Sequence, residues 1–342
     1  MTAGEHTEIA HGSGAPPAGG TPGAGSRSWV RPVEVLAVVL VLALVSRGWI
    51  VGHTGSARVQ SWLTIFVSIV IQASPFVVLG TVVSAAIAVL VPPAFFARVL
   101  PRRPALAVSV AACAGVVLPG CECGSVPVAG ALVRRGVTPA AALAFLLSAP
   151  AINPVVLVAT AVAFPGRPVM VLARLGASLL TAVVMGWLWL WAGRADWFRP
   201  PARPELDGLS RPAAFLAACR HDMTQAGGFL VIGAITAATM NVAVPPSWLH
   251  TVAGMPIVSV LALALLAVVL SICSEADAFV AASLTQFSLT ARLAFLVVGP
   301  MVDLKLFAMQ AGAFGRRFAI RFAPATFTVA VLAAAAVGAL AW

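Results

Sequence analysis

The sequence predicts an all-α, polytopic membrane protein, first of all from its composition. Apolar residues make up 61% of the 342 residues and charged residues only 9%, whereas a soluble domain carries about 25% charged residues. The apolar residues also fall into runs of roughly 17 to 30, the length that spans a bilayer. These features exclude a soluble enzyme, a disordered chain and a nucleic-acid-binding protein.

The basic residues give the second indication, because nearly all of them are arginines in short clusters between the apolar runs. The net charge of +10 comes from 21 basic residues, of which only Lys305 is a lysine. This distribution is typical of topology determinants in membrane proteins.

The predicted elements follow in order along the chain. Residues 1–32, rich in Gly, Pro, Ala, Ser and Thr, predict a disordered cytoplasmic tail that lacks the basic start of a signal peptide. The run 33–51 predicts the first transmembrane helix, with a loop to residue 61. Eight further apolar runs cover 62–91, 105–133, 138–164, 168–192, 214–243, 256–286, 290–314 and 322–342.

Two of these runs are broken in the middle by small and charged residues. The run 105–133 contains Pro119-Gly120-Cys121-Glu122-Cys123-Gly124, and the run 256–286 contains Cys273-Ser274-Glu275-Ala276-Asp277. Each arm has about 10 to 17 residues, which is short for a full crossing. We therefore expect a re-entrant helical hairpin in each run.

The arginines predict the orientation. If each broken run enters and leaves on the same side, fifteen arginines lie on one side and five on the other or near that end. The positive-inside rule then places the N-terminus in the cytoplasm and the C-terminus outside. The minority of five consists of Arg47, Arg58, Arg167, Arg174 and Arg292.

An internal repeat runs through the chain. Residues 76–93 match residues 229–246 at 8 of 18 positions, with Gly80 opposite Gly233. Further matches follow in the same order: Cys121 with Cys273, 143–150 with 293–300, and Asn153 with Asp303.

The predicted topology makes this repeat inverted, because its two halves begin on opposite sides of the membrane. Repeat 1 covers 62–192, a cytoplasmic linker covers 193–213, and repeat 2 covers 214–342. Inverted repeats with broken helices are a common plan of secondary transporters, whose substrate site lies where the repeats meet near the midplane.

The hairpin tips carry three carboxylates, Glu122, Glu275 and Asp277. A charged carboxylate at the bilayer centre costs at least ~2.5–3.5 kcal/mol on insertion scales. We expect these groups to be protonated, paired or facing a water-filled cavity, and therefore to be candidates for proton coupling. The alternative is that they cap the broken helices or form pairs within a hairpin.

The tips also carry thiols. Cys121 and Cys123 can close on a soft ion or a trivalent metalloid, and Cys273 can supply a third ligand. The alternative is that small residues are simply tolerated at a tight helix break. No cofactor is expected.

A second polar layer surrounds the matched residues Asn153 and Asp303. Pro150, Pro154, Gly299 and Pro300 are predicted to interrupt the helices there and free carbonyls that line a cavity. Asp303 and Lys305 are two residues apart, so they share a helix face only if the helix unwinds. A local ion pair and a role in the substrate pathway both remain open for Asp303.

Four segments of the chain together resemble one known family. GCECGSVPVAGALVRRG (120–136), LAFLLSAPAINP (143–154), and CSEADAFVAASL (273–284) with GPMVDLK (299–305) are similar to the predicted permease family that includes YraQ and the organoarsenical exporter ArsP. The resemblance covers about residues 62–320. It implies a multi-pass inner-membrane permease and, in the ArsP branch, efflux of trivalent organoarsenicals with cysteine chemistry. This chain has Glu122 where that branch has serine, which favours a cation or proton coupling.

The expected function is therefore that of a secondary permease in the lipid bilayer, moving a small solute or ion. An enzyme is not expected, because the sequence holds no P-loop, HExxH or GxSxG motif. One alternative is a thiol-disulfide protein that passes electrons through Cys121, Cys123 and Cys273; another is a scaffold or regulatory membrane subunit. The sequence leaves an oligomer or a second subunit open.

Overall fold

The computed structural model describes residues 57–117, 120–194, 197–198, 208–243 and 255–342, and these residues form helices and no strand. The expected tail 1–32, the first transmembrane helix 33–51, Pro119 and much of the linker 193–213 lie outside the described residues.

The described residues form thirteen α-helices, and a 3-10 turn, Gly115–Val117, extends the third. The helices are α1 Ala57–Leu90, α2 Pro93–Val99, α3 Pro104–Ala114, α4 Glu122–Arg134, α5 Pro139–Ile152, α6 Pro154–Ala163, α7 Pro168–Ala192, α8 Arg211–Ala243, α9 Pro256–Leu270, α10 Asp277–Ser283, α11 Leu289–Val298, α12 Leu304–Phe314 and α13 Arg316–Ala341.

Five segments of the described chain are long and apolar enough to cross a membrane: α1, α5 with α6, α7, α8 and α13. Helices α9 and α11, and α3 with its 3-10 turn, are apolar but shorter. Large apolar side chains such as Leu172 and Ile257 are exposed on the outer surface, as expected of helices that face lipid rather than water. The prediction of an all-helical, polytopic membrane protein is confirmed.

The two longest helices, α1 and α8, pack antiparallel along most of their length. The Trp62 indole donates to Thr239 Oγ1 at 3.0 Å toward one end, and the Ser84 hydroxyl donates to Asp222 Oδ2 at 2.5 Å toward the other. The remaining core consists of α3, α5 and α7 on one side and α9, α11 and α13 on the other, joined where α7 packs against α13.

Two glycines let the long helices approach the rest of the fold closely. A Cβ added at Gly80 would lie 2.4 Å from the backbone oxygen of Gly124, and one at Gly233 would lie 2.6 Å from the Cα of Lys305. No residue with a side chain can be placed at such a distance without a shift of the backbone. Helix α1 is thereby held on α4, and α8 on α12.

Candidate functional site

Four interruptions between helices meet in the interior of the protein. They lie before α4, between α9 and α10, between α5 and α6, and between α11 and α12. Hydrogen bonds link them in pairs: Asn153 Nδ2 donates to the Gly120 carbonyl at 3.1 Å, and Lys305 Nζ donates to the Ser271 carbonyl at 3.3 Å. Since half-helix ends carry unpaired backbone groups, this convergence creates a polar centre inside an apolar fold.

Lys305 is the cation of this centre. Its ammonium lies 2.5 Å from Glu122 Oε1, 3.5 Å from Asp303 Oδ2 and 4.0 Å from Cys273 Sγ, and all four side chains are buried. Asp303 reaches Lys305 because residue 303 has an extended backbone, with φ −143° and ψ 171°, immediately before α12 begins. The chain is therefore unwound at the point where a continuous helix would have kept the two side chains apart.

The three predicted thiols lie beside this ion pair. Cys121, Cys123 and Cys273 are buried free thiols, and the Cys121 thiol interacts with both of the others. The sulfur atoms of Cys121 and Cys273 and a carboxylate oxygen of Glu122 all lie within 4.8 Å of one another. Ligands on a tetrahedral soft ion with metal–sulfur bonds of about 2.3 Å stand about 3.8 Å apart, so a modest contraction would let these atoms coordinate one.

Asn153 and Asp303 occupy the same structural position in their two segments. Asn153 has φ −67° and ψ 155° and accepts from the Val156 amide, while Asp303 accepts from the Leu306 amide. Each side chain therefore caps the helix that follows the interruption, α6 in one case and α12 in the other. Asn153 in addition donates to the carbonyls of Gly120 and Ala149.

We expect Asn153→Ala to lower the free energy of unfolding by roughly 2–3 kcal/mol, because it removes a helix cap and leaves buried carbonyls without a donor. Unfolding of the purified protein in detergent, followed by tryptophan fluorescence, measures this change. Thr236→Ala removes an exposed hydroxyl that bonds only within its own helix and serves as the matched control. A loss no larger than that of the control would contradict the capping role.

Asp277 belongs to a second buried ion pair rather than to the Lys305 centre. Its Oδ2 accepts from Arg174 Nη2 at 2.8 Å, and the same guanidinium donates to Thr160 Oγ1 at 2.8 Å and to the Ser274 carbonyl at 3.3 Å. Arg174 is fully buried. The pair therefore fixes the start of α10 to helices α6 and α7 of the other half of the chain.

The buried centre carries more acid than base. Four carboxyl groups from the interruptions, those of Glu122, Glu275, Asp277 and Asp303, face two buried cations, Lys305 and Arg174. Glu275 is half-buried and interacts electrostatically with Glu122, Lys305 and Arg174. Because unbalanced charge is costly at low dielectric, this arrangement favours the uptake of a cation or of protons.

The predicted helix-breaking residues lie at or next to these interruptions, apart from Pro119, which is outside the described residues. Gly120 precedes α4, Pro154 is the first residue of α6, and Gly299 follows the end of α11. Gly124 lies in the first turn of α4, Pro150 in the last turn of α5, and Pro300 between α11 and α12.

Comparison with known proteins places this chain among membrane permeases. The model of a family described as "Predicted permease", ArsP_1, matches residues 58–339. The chain belongs to this family. The UPF0718 protein YcgR of Bacillus subtilis is 37% identical over 262 residues, which is 75% of this chain and 89% of that protein. A Streptococcus mutans protein, named as a subunit of a two-component membrane permease complex, is 33% identical over 297 residues, 84% of this chain and 98% of that protein.

No solved structure matches the chain. The family and the apolar helices together identify a multi-pass permease of the cell membrane, in contact with lipid, and indicate a transporter rather than an enzyme. The predicted family resemblance is confirmed.

The sequence does not predict that Arg174, counted among the arginines outside the membrane or near that end, is the partner of Asp277. Arg174 is completely buried in the protein and paired with Asp277. A signal that could have indicated this role is its position seven residues into the apolar run 168–192.

Proposed function

We propose that this permease moves a soft metal cation or a trivalent metalloid through a site built from Cys121, Glu122 and Cys273. The observation that carries this proposal is the close approach of two thiols and a carboxylate from different halves of the chain. Thiolates prefer soft ions, and the excess of buried carboxyls supplies negative charge for a cation or for coupled protons. Four polar residues around this site hold its ligands in place: Asp277, Asn153, Asp303 and Lys305. Cys123, beside Cys121, can serve as an additional ligand.

The same burial argues against electron transfer by thiol-disulfide exchange. The three thiols are almost completely inaccessible, whereas exchange with a partner protein requires a thiolate that the partner can reach.

We propose further that the permease is an inverted repeat of 62–192 and 214–342, joined by a cytoplasmic linker 193–213 and preceded by the tail 1–32 and a first helix with its loop, 33–61. Two observations support the repeat. Asn153 and Asp303 cap the equivalent helices α6 and α12. Gly166 and Gly315, both with positive φ, lie at the equivalent turns that follow those helices.

The proposed topology includes a re-entrant hairpin in each repeat and a cytoplasmic N-terminus. The first hairpin consists of α3 and α4, the second of α9 and α10. At about 1.5 Å per residue, the 15 residues of α9 and the 7 residues of α10 are shorter than a bilayer core of about 30 Å. The excess of arginine on the side of the linker supports the orientation.

The test is a metal and metalloid panel on cells that lack or overproduce the permease, with zinc, cadmium, arsenite and methylarsenite as probes. We expect the Cys121→Ser, Cys273→Ser double variant to weaken cadmium binding by the purified protein by roughly 100-fold or more, since even outer-shell partners of a metal contribute 10–100-fold. Accumulation in the same cells gives the direction of transport.

The matched control is the Cys113→Ser, Cys219→Ser double variant, because these two thiols lie outside the buried cluster. Normal transport of every probe by Cys121→Ser, Cys273→Ser would remove the soft-ion assignment. Full transport by Glu122→Gln with Glu275→Gln would remove proton coupling.

A further inference from the structure

The long helices α1 and α8 cover one face of the polar centre. Helix α1 packs against α4 at Gly80, and α8 packs against α12 at Gly233. Helices α4 and α12 also contact each other, so these four helices form a closed layer on that face. In the proposed topology this face is the cytoplasmic one.

The opposite face consists of α6 and α10, which contact each other as α4 and α12 do. In the alignment of the repeats, α6 corresponds to α12 and α10 to α4. If the two halves were arranged alike, α1 would pack on α6 and α8 on α10. Within the described part of the chain, neither pair makes an extensive contact.

The exposure of matched residues shows the same asymmetry. Lys305 is fully buried under α8, whereas its counterpart Val155 is 49% exposed. Gly124 is buried under α1, whereas its counterpart Ala276 is only partly buried. The described residues therefore leave the α6 and α10 face of the centre uncovered by the long helices.

We propose that the structure shows one of two alternating conformations, and that in the other the α1 and α8 pair covers α6 and α10 and uncovers α4 and α12. This inference rests on the inverted repeat of the proposed function, but not on the identity of the substrate. In an inverted repeat, each half can adopt the arrangement of the other, and the exchange reverses the side from which a central site is reached.

The long helices move as one unit in this proposal. They are joined toward one end by Trp62 and Thr239 and toward the other by Ser84 and Asp222. The helices α3, α5, α7, α9, α11 and α13 pack on one another and form the frame against which the pair moves.

A polar contact holds the pair on the α4 and α12 face. Asp222 of α8 lies 3.8 Å from Arg134 of α4 and accepts from Ser84 of α1. In the repeat alignment the counterparts of Asp222 and Ser84 are Ile69 and Ala237, which cannot form such a contact. The contact between Arg134 and Asp222, called the gate below, therefore stabilises the conformation seen here relative to the alternate one.

Two valine substitutions should shift the equilibrium in opposite directions. Gly124→Val adds a side chain at the contact with α1 in the conformation seen here. In the alternate conformation residue 124 is uncovered, so the added side chain meets no obstruction. Ala276→Val adds volume on the uncovered face and obstructs only the alternate conformation. Because overpacking of a close contact destabilises the conformation that contains it, we expect Gly124→Val to change the ratio of the two conformations by about tenfold or more.

Cysteine labelling in nanodiscs measures the ratio. All five native cysteines are replaced by serine, and Ala159→Cys on α6 or its counterpart Met309→Cys on α12 is added and labelled with a hydrophilic maleimide. Ala159 is partly exposed, whereas Met309 is buried beside Gln225 and Phe229 of α8. We expect labelling at residue 159 in the parent and with Ala276→Val, and a shift toward residue 309 with Gly124→Val.

Asp222→Asn is measured in parallel, because it weakens the gate without adding volume and must shift labelling toward residue 309 as well. In the protein that keeps its native cysteines, hydrogen–deuterium exchange should show the same change, with faster exchange in α12 and slower exchange in α6. Unchanged labelling in Asp222→Asn, or no shift of labelling from residue 159 toward residue 309 in Gly124→Val, would overturn the proposal. The labelled proteins lack the native thiols that would bind a soft ion. The labelling result therefore tests the alternating conformations independently of the soft-ion site.

Discussion

Lys305→Met is expected to lower the free energy of unfolding by roughly 3–5 kcal/mol, because it leaves two buried carboxylates without their cation. The ammonium lies 2.5 Å from Glu122 and 3.5 Å from Asp303, and no other buried cation pairs with either group among the described residues. Chemical unfolding in mixed micelles, with far-UV circular dichroism as the signal, measures the change.

A second variant separates charge from packing at this position. Lys305→Met with Glu122→Gln removes one of the two uncompensated charges, so the double variant should recover a substantial part of the lost stability. Arg58→Gln, an exposed charge at the start of α1, is the matched control and should stay within about 0.5 kcal/mol of the parent. If Lys305→Met were as stable as the parent, Glu122 and Asp303 would not need a cation, which would show that both carboxyl groups are uncharged without the lysine.

The second large effect is expected at Arg174. Arg174→Gln should also reduce stability by roughly 3–5 kcal/mol, because Asp277 would remain buried without a counter-charge. The change also removes the donor to Thr160, which loosens α10 from α6. Limited proteolysis near α10 and thermal unfolding report the local and the global effect.

Arg174→Gln with Asp277→Asn restores a neutral pair and should recover much of the loss. Arg167→Gln serves as the control, since Arg167 is exposed at the start of the same helix. If the double variant is as unstable as Arg174→Gln alone, packing of the guanidinium rather than its charge holds α10 in place.

Charged and helix-breaking residues are so unusual within apolar runs that they mark candidate interior positions in the sequence. Glu122 and Cys121 stand out for this reason, and the repeat matches Cys121 with Cys273, but the pattern does not place Lys305 beside them. Which carboxyl pairs with which cation could not be predicted, because the answer depends on how far each interruption unwinds. Asp303 shows this clearly, since its extended backbone allows a contact that helical spacing forbids.

The close contacts of the long helices were not predictable in the same way. The repeat matches Gly80 with Gly233, but glycine is frequent in membrane helices for several reasons. Only the structure shows that their partners, Gly124 and Lys305, are not matching positions. The two similar halves of the chain therefore pack their long helices differently, and a local sequence pattern carries no information about such a difference.

The length of α1 and α8 has a further consequence for the membrane itself. With 34 and 33 residues, each is about 50 Å long, against a hydrocarbon core of about 30 Å. Both helices must tilt strongly or project into the headgroups, and a change in their tilt alters the apolar height that the surrounding lipid has to match. In the proposed exchange of conformations, the acyl-chain length of the host bilayer would therefore affect the ratio of the two conformations.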